Sequence, residues 1–203
     1  MTLYFRFLIC ISFSFIISFQ CFAQTDGYFI TQKNDTVKCS DLKEAFIGKN
    51  LKYRATKLAD FKDLNTDTVL EYKLPKSKNP FTKRQLPGDS VLKFVEWTLR
   101  GPIDLYTETF YSYGGYGGSG GSGGSNKVNN YYISKNNVPL IAIKTTGLSL
   151  NIASRKERKK ALYDMMADAP QLIEQYKAFN EFGYEVVYSM ISRYNDFKST
   201  HPN

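Results

Sequence analysis

The chain is poor in the residues on which catalysis at neutral pH and metal binding usually depend. Its 203 residues contain one histidine and three cysteines. Histidine is the usual general base near neutral pH and the commonest metal ligand, and zinc sites are built largely from cysteine and histidine. The composition therefore argues against Ser/His/Asp and Cys/His catalysis, and it predicts neither a metal site nor a cofactor. The histidine, His201, is expected to be a solvated residue.

The longest apolar run lies in the N-terminal segment. Residues 8–19 are mostly Leu, Ile and Phe, Arg6 precedes them, and small residues follow at Cys21 and Ala23. A positive start, a short apolar stretch and a small-residue site are the layout of a secretory signal peptide. We therefore expect residues 1–23 to be a signal peptide that is cleaved after Ala23.

Two alternatives exist for this segment. A membrane anchor would need roughly 20 apolar residues, more than the run supplies. A lipoprotein would carry lipid on Cys21, but the preceding residue, Gln20, is not small. With cleavage, the protein is exported to the periplasm or the extracellular space, with outer-membrane association as an option and no transmembrane span left. Only Cys39 then remains, so no intramolecular disulfide is expected, and a buried apolar role is favoured for it.

The sequence from residue 24 to residue 150 shows the alternation of antiparallel strands. Its strongest pair is "SVLKFVEWTLR" at 90–100 and "IDLYTETFYSY" at 103–113, which Gly101 and Pro102 connect. A connection this short makes the two strands antiparallel neighbours. Residues 24–150 are therefore predicted to form an antiparallel β domain.

Helical signals are concentrated in residues 151–197, apart from a short helical turn expected at 58–64. Three helix starts are predicted: a capping box of Ser154 and Glu157, a cap at Asp168 with Pro170 in the first turn, and a third helix at 184–195. Strands followed by helices, rather than alternating with them, indicate the α+β class. We expect an antiparallel β-sheet, or a small β-barrel or sandwich, followed by about three short C-terminal helices packed on the sheet.

Glycine is concentrated in one stretch, residues 114–125, within "YGGYGGSGGSGGSNK". A Walker-type phosphate loop needs Gly-Lys-Ser/Thr at the start of a helix. Here Lys127 follows Asn126, and a tyrosine-rich strand comes next. A linker between domains is disfavoured because little sheet-forming sequence follows. The stretch is predicted to be a long hairpin loop joining two strands.

Tyrosines flank this loop on both sides and are the best sequence clue to a binding surface. If the two strands pair, several rings could line one end of the hairpin and stack on sugars or fill a pocket of a partner. Ordinary cross-strand aromatic pairing is the competing explanation and is favoured, because tyrosine is a common strand residue. The candidates are Tyr106, Tyr111, Tyr113, Tyr131 and Tyr132.

The sharpest charge cluster is "RKERKK" at 155–160, in a chain of formal net charge +8. A basic helix can contact nucleic acid, but export argues against that partner. The solvated side of an amphipathic helix is the simpler explanation, and contact with an anionic membrane surface is the intermediate one. The basic residues are Arg155, Lys156, Arg158, Lys159 and Lys160.

Acidic residues leave one enzymatic alternative open, a hydrolase with paired carboxylates. Glycosidases use two such groups on either side of the bond that they cleave. The residues available among the strands are Asp60, Asp63, Asp67, Glu96 and Glu108. Glu96 and Glu108 could meet across their hairpin.

Three longer segments resemble a family of uncharacterised secreted or periplasmic proteins of Bacteroidota-type bacteria. They are "GYFITQKNDTVKC", "YYISKNNVPLIAI" and "LYDMMADAPQLIEQYKAFNEFGYEVVYSMISRYN". Ala169 stands where members often carry a cysteine. The resemblance implies export and a small β domain with a helical tail, and it implies no known activity.

Three short Asp-Ser/Thr-Val segments resemble the sites at which exported Bacteroidota proteins are O-glycosylated. The candidate residues are Thr36, Thr68 and Ser90. An ordinary turn followed by a strand explains the same pattern and is favoured.

The sequence as a whole predicts an exported, non-catalytic protein that binds a ligand or supports the cell envelope. Its expected partner is an envelope protein or a glycan of unknown identity. The hydrolase with an acidic site is the alternative.

Overall fold

The computed structural model describes residues 27–44, 50–113, 125–136, 138–147, 153–177 and 181–201. The predicted signal peptide, residues 1–23, lies outside the described residues. Residues 114–124, almost all of the glycine-rich stretch, also lie outside the described residues. None of the described helices combines the length and the apolar character that crossing a membrane requires.

Two antiparallel sheets account for the strands, in agreement with the predicted antiparallel β structure. The strands of the main sheet are β1 (Gly27–Thr31), β2 (Thr36–Cys39), β6 (Val69–Lys73), β7 (Phe81–Gln85), β8 (Leu92–Leu99), β9 (Ile103–Tyr113), β10 (Ser125–Lys135) and β11 (Ile141–Thr145). Those of the small sheet are β3 (Asp41–Glu44), β4 (Leu51–Arg54) and β5 (Lys62–Leu64). The spatial orders are β11-β10-β9-β8-β7-β6-β1-β2 and β3-β4-β5.

Turn residues explain where the hairpins fold back. Asn34 (φ 62°) and Asn136 (φ 53°) adopt the left-handed conformation, which asparagine tolerates better than most residues. The pairing of β8 with β9 across Gly101 confirms the strongest predicted hairpin. A side chain at Gly101 would meet Asn195 at 2.4 Å, so the glycine also permits the close approach of the last helix.

The glycine-rich stretch joins two paired strands, as predicted. Tyr113 is the partner of Ser125 across β9 and β10, so Ser125 belongs to a strand rather than to the loop. The helical turn expected at 58–64 is wrong, because Lys62 and Leu64 pair with Tyr53 and Leu51 of β4. The hydrogen bonds of this small sheet override the local helical pattern.

Three C-terminal helices follow: α1 (Arg155–Met165), α2 (Pro170–Lys177) and α3 (Tyr184–Thr200). The capping box is confirmed, because Ser154 Oγ accepts from the Glu157 amide and Glu157 Oε2 accepts from the Ser154 amide. Pro170 opens α2 as expected. Asp168 is not the cap of that helix, because Ala169 directly precedes it. Its carboxylate instead accepts a hydrogen bond from Tyr194 and pairs with Lys135 and Lys198.

Two separate hydrophobic clusters cover one face of the main sheet. The helix cluster packs α1, α2 and α3 on β9, β10 and β11 through residues such as Ile103, Ile133 and Leu162. The small-sheet cluster packs β3 and β4 on β1 and β6 through Leu42 and Leu51, among others. Cys39 is buried in that second cluster with 1% of its surface exposed, as the sequence favoured.

A third cluster lies on the opposite face, where Tyr106 stacks on Trp97 at 5.7 Å between ring centroids. The structure is therefore an α+β arrangement, a mostly antiparallel sheet followed by three helices, as predicted.

Candidate functional site

One row of side chains across the main sheet shows where the small-sheet cluster and the helix cluster end. Strand register aligns Val37, Phe29, Tyr72, Phe81, Glu96, Thr107 and Tyr131 on the face that carries the helices. The first four belong to the small-sheet cluster, and Tyr131 belongs to the helix cluster. Glu96 and Thr107, between them, belong to neither. The centre of this face is therefore polar and is flanked by apolar packing on both sides.

A groove of about 400 Å³ lies over this polar centre. We call it the polar groove. Strands β8, β9 and β10 provide its floor, the segment before β7 provides one side, and the first turns of α3 provide the other. Its lining residues are Lys78, Asn79, Glu96, Thr98, Thr107, Thr109, Lys127, Asn129, Tyr131, Tyr184, Glu185 and Tyr188.

Stacked tyrosines form the helical side of the polar groove. The rings of Tyr131 and Tyr184 stack with their centroids 4.4 Å apart. Tyr188, one turn further along α3, lies 5.9 Å from Tyr184. Helical periodicity places residues four apart on the same side, which is why both helical tyrosines contribute to this wall.

Short hydrogen bonds hold the polar side chains of the floor in place. Asn79 Nδ2 donates to Glu96 Oε1 at 2.8 Å. The hydroxyl oxygens of Thr98 and Thr107 lie 2.7 Å apart across β8 and β9. Thr109 Oγ1 donates to Asn129 Oδ1 at 2.9 Å. These bonds fix the side chains on sheet strands before any ligand arrives, which reduces the ordering cost of binding.

Tyr184 has a raised pKa in the polar groove. Burial raises the pKa of Tyr184 to about 12, with further contributions from Tyr131, Tyr188, Glu185 and Glu96. Its hydroxyl is therefore available as a hydrogen-bond donor throughout the physiological range.

The chemistry of the lining suits a ligand that has both flat apolar patches and many hydroxyl groups. Lys78 and Lys127 balance Glu96 and Glu185 in formal charge. Hydroxyl, amide, ammonium and carboxylate groups together offer donors and acceptors in one place. Among the described residues, no group of His, Cys, Asp and Glu side chains is arranged to hold a metal ion.

The five tyrosines predicted as a binding edge do not share one surface, so that hypothesis is wrong as a single site. Tyr131 lines the polar groove, whereas Tyr106 and Tyr132 lie in the cluster on the opposite face, because successive strand residues alternate between faces. Tyr106 is fully buried. Tyr111 is 61% exposed and lies outside the groove lining, and the side chain of Tyr113 lies outside the described residues.

The predicted meeting of Glu96 and Glu108 is also wrong. The partner of Glu96 across the hairpin is Thr107, and Glu108, the next residue, points to the other face. Glu108 accepts a hydrogen bond from Tyr132 at 2.9 Å and pairs with Lys93 at 3.5 Å. The carboxylate that shares the polar groove with Glu96 is Glu185, which the sequence did not single out because its helical position depends on how α3 packs.

The basic run does not form one uniform surface. Arg155, Lys156 and Lys160 are exposed, and Lys160 pairs with Asp164 at 2.6 Å. Arg158 and Lys159 are half-buried, with Lys159 lying 5.6 Å from the Tyr163 ring. The run therefore contains both solvated and anchored charges.

The three candidate glycosylation residues, Thr36, Thr68 and Ser90, are all exposed. Thr68 Oγ1 donates to the carbonyl of Asn65 at 2.8 Å. Their modification stays a prediction.

Sequence reasoning missed a buried carboxylate on the opposite face. Glu71 is 8% exposed, accepts a hydrogen bond from Tyr28 at 2.7 Å and pairs with Arg100 at 2.6 Å. The sequence predicts that Glu71 faces away from Tyr72, but it does not predict that Tyr28 of β1 and Arg100 lie beside the carboxylate.

Comparison of the chain with models of known protein families, with curated protein sequences and with solved structures found no significant match.

Proposed function

We propose that the protein is an exported, non-catalytic binding protein and that the polar groove takes a hydroxyl-rich ligand, a glycan. The observation that carries the proposal is the contrast along one row of the sheet. Glu96 and Thr107 interrupt a face that is otherwise packed with apolar residues, and stacked tyrosines stand beside them. Thr107 is 9% exposed and Glu96 is half-buried, so polar side chains occupy positions where apolar ones would stabilise the fold more, which favours a role in binding.

Glycan recognition fits the two kinds of surface in the groove. Aromatic rings contact the apolar faces of sugar rings, while fixed hydrogen-bonding groups select the hydroxyls. Tyr188 and Tyr184 supply the first kind, and the threonine and asparagine floor supplies the second. Export, which the N-terminal segment predicts, would place the protein among cell-envelope and extracellular glycans.

A glycan array probed with the purified protein tests the proposal. The Tyr188→Ala variant removes one ring from the groove wall. An aromatic contact contributes about 0.5–1.5 kcal/mol beyond its buried area, so binding should weaken about two- to tenfold. Tyr111→Ala is the matched control, because it removes an equal ring from outside the lining. Equal loss in both variants, or no glycan bound by the parent protein, would refute the groove as the site.

A hydrolase is the second candidate, because Glu96 and Glu185 line the same groove and both raise the pKa of Tyr184. In that case the glycan that binds should also be cleaved, and new reducing ends should appear. The Glu96→Gln and Glu185→Gln variants should then abolish cleavage while binding persists. Absence of cleavage with the bound glycan, at long incubation, removes this alternative.

A further inference from the structure

Another cavity lies at the start of α3. It measures about 290 Å³, and we call it the basic cavity. Strand β11, helix α1 and the segment that leads into α3 surround it. Its lining residues are Lys144, Arg155, Arg158, Glu181, Phe182 and Gly183.

The charges of the basic cavity are unbalanced. Three cations line it against one carboxylate, that of the exposed residue Glu181. Within the part of the chain that the structure describes, no ion pair joins Lys144, Arg155 or Arg158 to a carboxylate. The polar groove, by comparison, has equal numbers of cations and carboxylates. The basic cavity therefore has a positive field that the described residues leave uncompensated.

Arg158 is held in place but incompletely bonded. Its Nη1 donates to the carbonyl oxygen of Ile143 at 2.8 Å, which ties the guanidinium to β11. Its Nε is buried and has no hydrogen-bond acceptor among the described residues. Because this Nε has almost no accessible surface, a ligand in the cavity cannot bond to it. Such a ligand would meet the Nη atoms of the guanidinium, whose charge-assisted hydrogen bonds to an oxyanion are strong.

The N-terminus of α3 adds to the same field. Gly183 is the N-cap of this 17-residue helix and provides no side-chain cap for its first amides. The first amides and the helix dipole together favour negative charge at this end. A Cβ at Gly183 would meet no heavy atom within 4 Å, so the space beside this residue is open. Glu185, the acidic residue of the first turn, lines the polar groove.

From these observations we propose that the basic cavity binds a phosphate group. Arg158 and Arg155 would hold its oxygens, Lys144 would add charge, and the first amides of α3 would donate to it. Two sources share this chemistry, a free phosphate or phosphorylated small molecule and the headgroup of an anionic phospholipid. The lining residues of the two sites differ, although Tyr184, whose ring lines the polar groove, would offer its backbone amide to the phosphate.

Titration with inorganic phosphate at constant ionic strength, followed by calorimetry and by amide NMR spectra, tests the site. The key variant is the double change Lys144→Gln with Arg155→Gln, which spares the anchored Arg158. Its matched control is Lys156→Gln with Lys160→Gln, which removes the same two charges from outside the lining. We expect the NMR resonances of the Gly183 and Tyr184 backbone amides to change their chemical shifts when phosphate is added. The affinity of the key variant for phosphate should fall at least about tenfold, because charged hydrogen bonds are lost. The control should bind phosphate nearly as tightly as the parent protein does.

Vesicles of phosphatidylcholine, with and without phosphatidic acid, distinguish the two sources. Loss of vesicle binding in the key variant alone would identify a lipid headgroup as the ligand. Phosphate binding that is selective, together with vesicle binding that is absent or falls equally in both variants, would identify a soluble phosphate. Both results support the site.

Two outcomes would overturn the proposal. One is an equal loss of phosphate affinity in the key variant and the control, which would mean that only net charge matters. The other is the absence of any phosphate-dependent shift at Gly183 and Tyr184 in the parent protein.

Discussion

The covered ends and the open centre of the main sheet differ in what their side chains do. At one end Phe29 and Tyr72 pack under the small sheet, and at the other Ile133 and Ile143 pack under the helices. In the centre Glu96 and Thr107 face the polar groove. Different strands of one sheet thus provide the packed ends and the polar middle. Stability and binding should respond separately to substitutions in the two regions.

The largest effect is expected from truncating the covered ends. Leu162→Ala in the helix cluster and Leu51→Ala in the small-sheet cluster each remove a side chain that is nearly or fully buried. Each should lower the free energy of unfolding by about 2–5 kcal/mol, because a cavity is left behind. Denaturant unfolding measures this. Leu92→Ala, at a position 56% exposed, is the control and should change stability by about 0.5 kcal/mol or less.

A smaller effect is expected at Asp168, which ties the helices to β10. Burial tends to raise the pKa of Asp168, but hydrogen bonds from Tyr194 and Lys135 and the pairing with Lys198 lower it to about 2. Because the folded pKa lies below the ordinary value of 3.8, the stabilisation is present above that value and is lost as pH falls toward 2. Asp168→Asn should cost about 1 kcal/mol at neutral pH, after allowance for solvent screening.

Chemical denaturation of parent and variant at neutral pH and at about pH 2 checks this prediction. The difference between them should shrink at the lower pH. Asp164→Asn, which removes the exposed partner of Lys160, is the control and should cost about 0.5 kcal/mol or less. A difference for Asp168→Asn that is constant with pH would contradict the ion-pair explanation.

A still smaller effect is expected from shortening residues 114–124 to a four-residue turn. The cost of closing a loop grows slowly with its length, so stability should rise by about 1 kcal/mol or less. Thermal unfolding measures the change. A large fall in melting temperature would show that this segment packs on the folded protein. It would then be a third region that contributes to stability, besides the two ends of the main sheet.

The smallest effect on stability is expected in the open centre. Thr107→Val removes the hydroxyl that lies 2.7 Å from that of Thr98. Thr107 is buried, but the remaining hydroxyl belongs to the half-buried Thr98, which lines the groove and can bond to water there, so the free energy of unfolding should change by about 0.5 kcal/mol or less. Glycan binding should weaken nonetheless. A loss of stability as large as that of Leu162→Ala would mean that the centre is part of the core.

Local signals predicted the elements well, because their causes are local. Gly101 and Pro102 turn β8 into β9, and the capping box at Ser154 starts α1 where the sequence places it. The C-terminal helix was predicted to stop at 195 but continues to Thr200. Its last turns lack strong apolar spacing, although Phe197 packs on the helix cluster.

The candidate site was predicted poorly, because it depends on register and on which layer covers which strand. The sequence drew attention to Tyr131 and Tyr132 together, but neighbouring strand residues face opposite sides. The strand β5 pairs through three residues only and has no clear periodicity of its own. The sequence did not predict the small sheet, so it could not show that neither the small-sheet cluster nor the helix cluster extends over Glu96.

NMR mapping of a bound glycan tests whether the polar groove is the binding site. The glycan to use is the strongest ligand from the array, titrated into the isotope-labelled protein. The account predicts that shift changes concentrate on Thr98, Thr107, Thr109 and Asn129 on the groove floor and on Tyr188 of its wall. Changes that instead centre on Tyr111, or on the opposite face around Tyr28 and Arg100, would contradict the polar groove as the binding site.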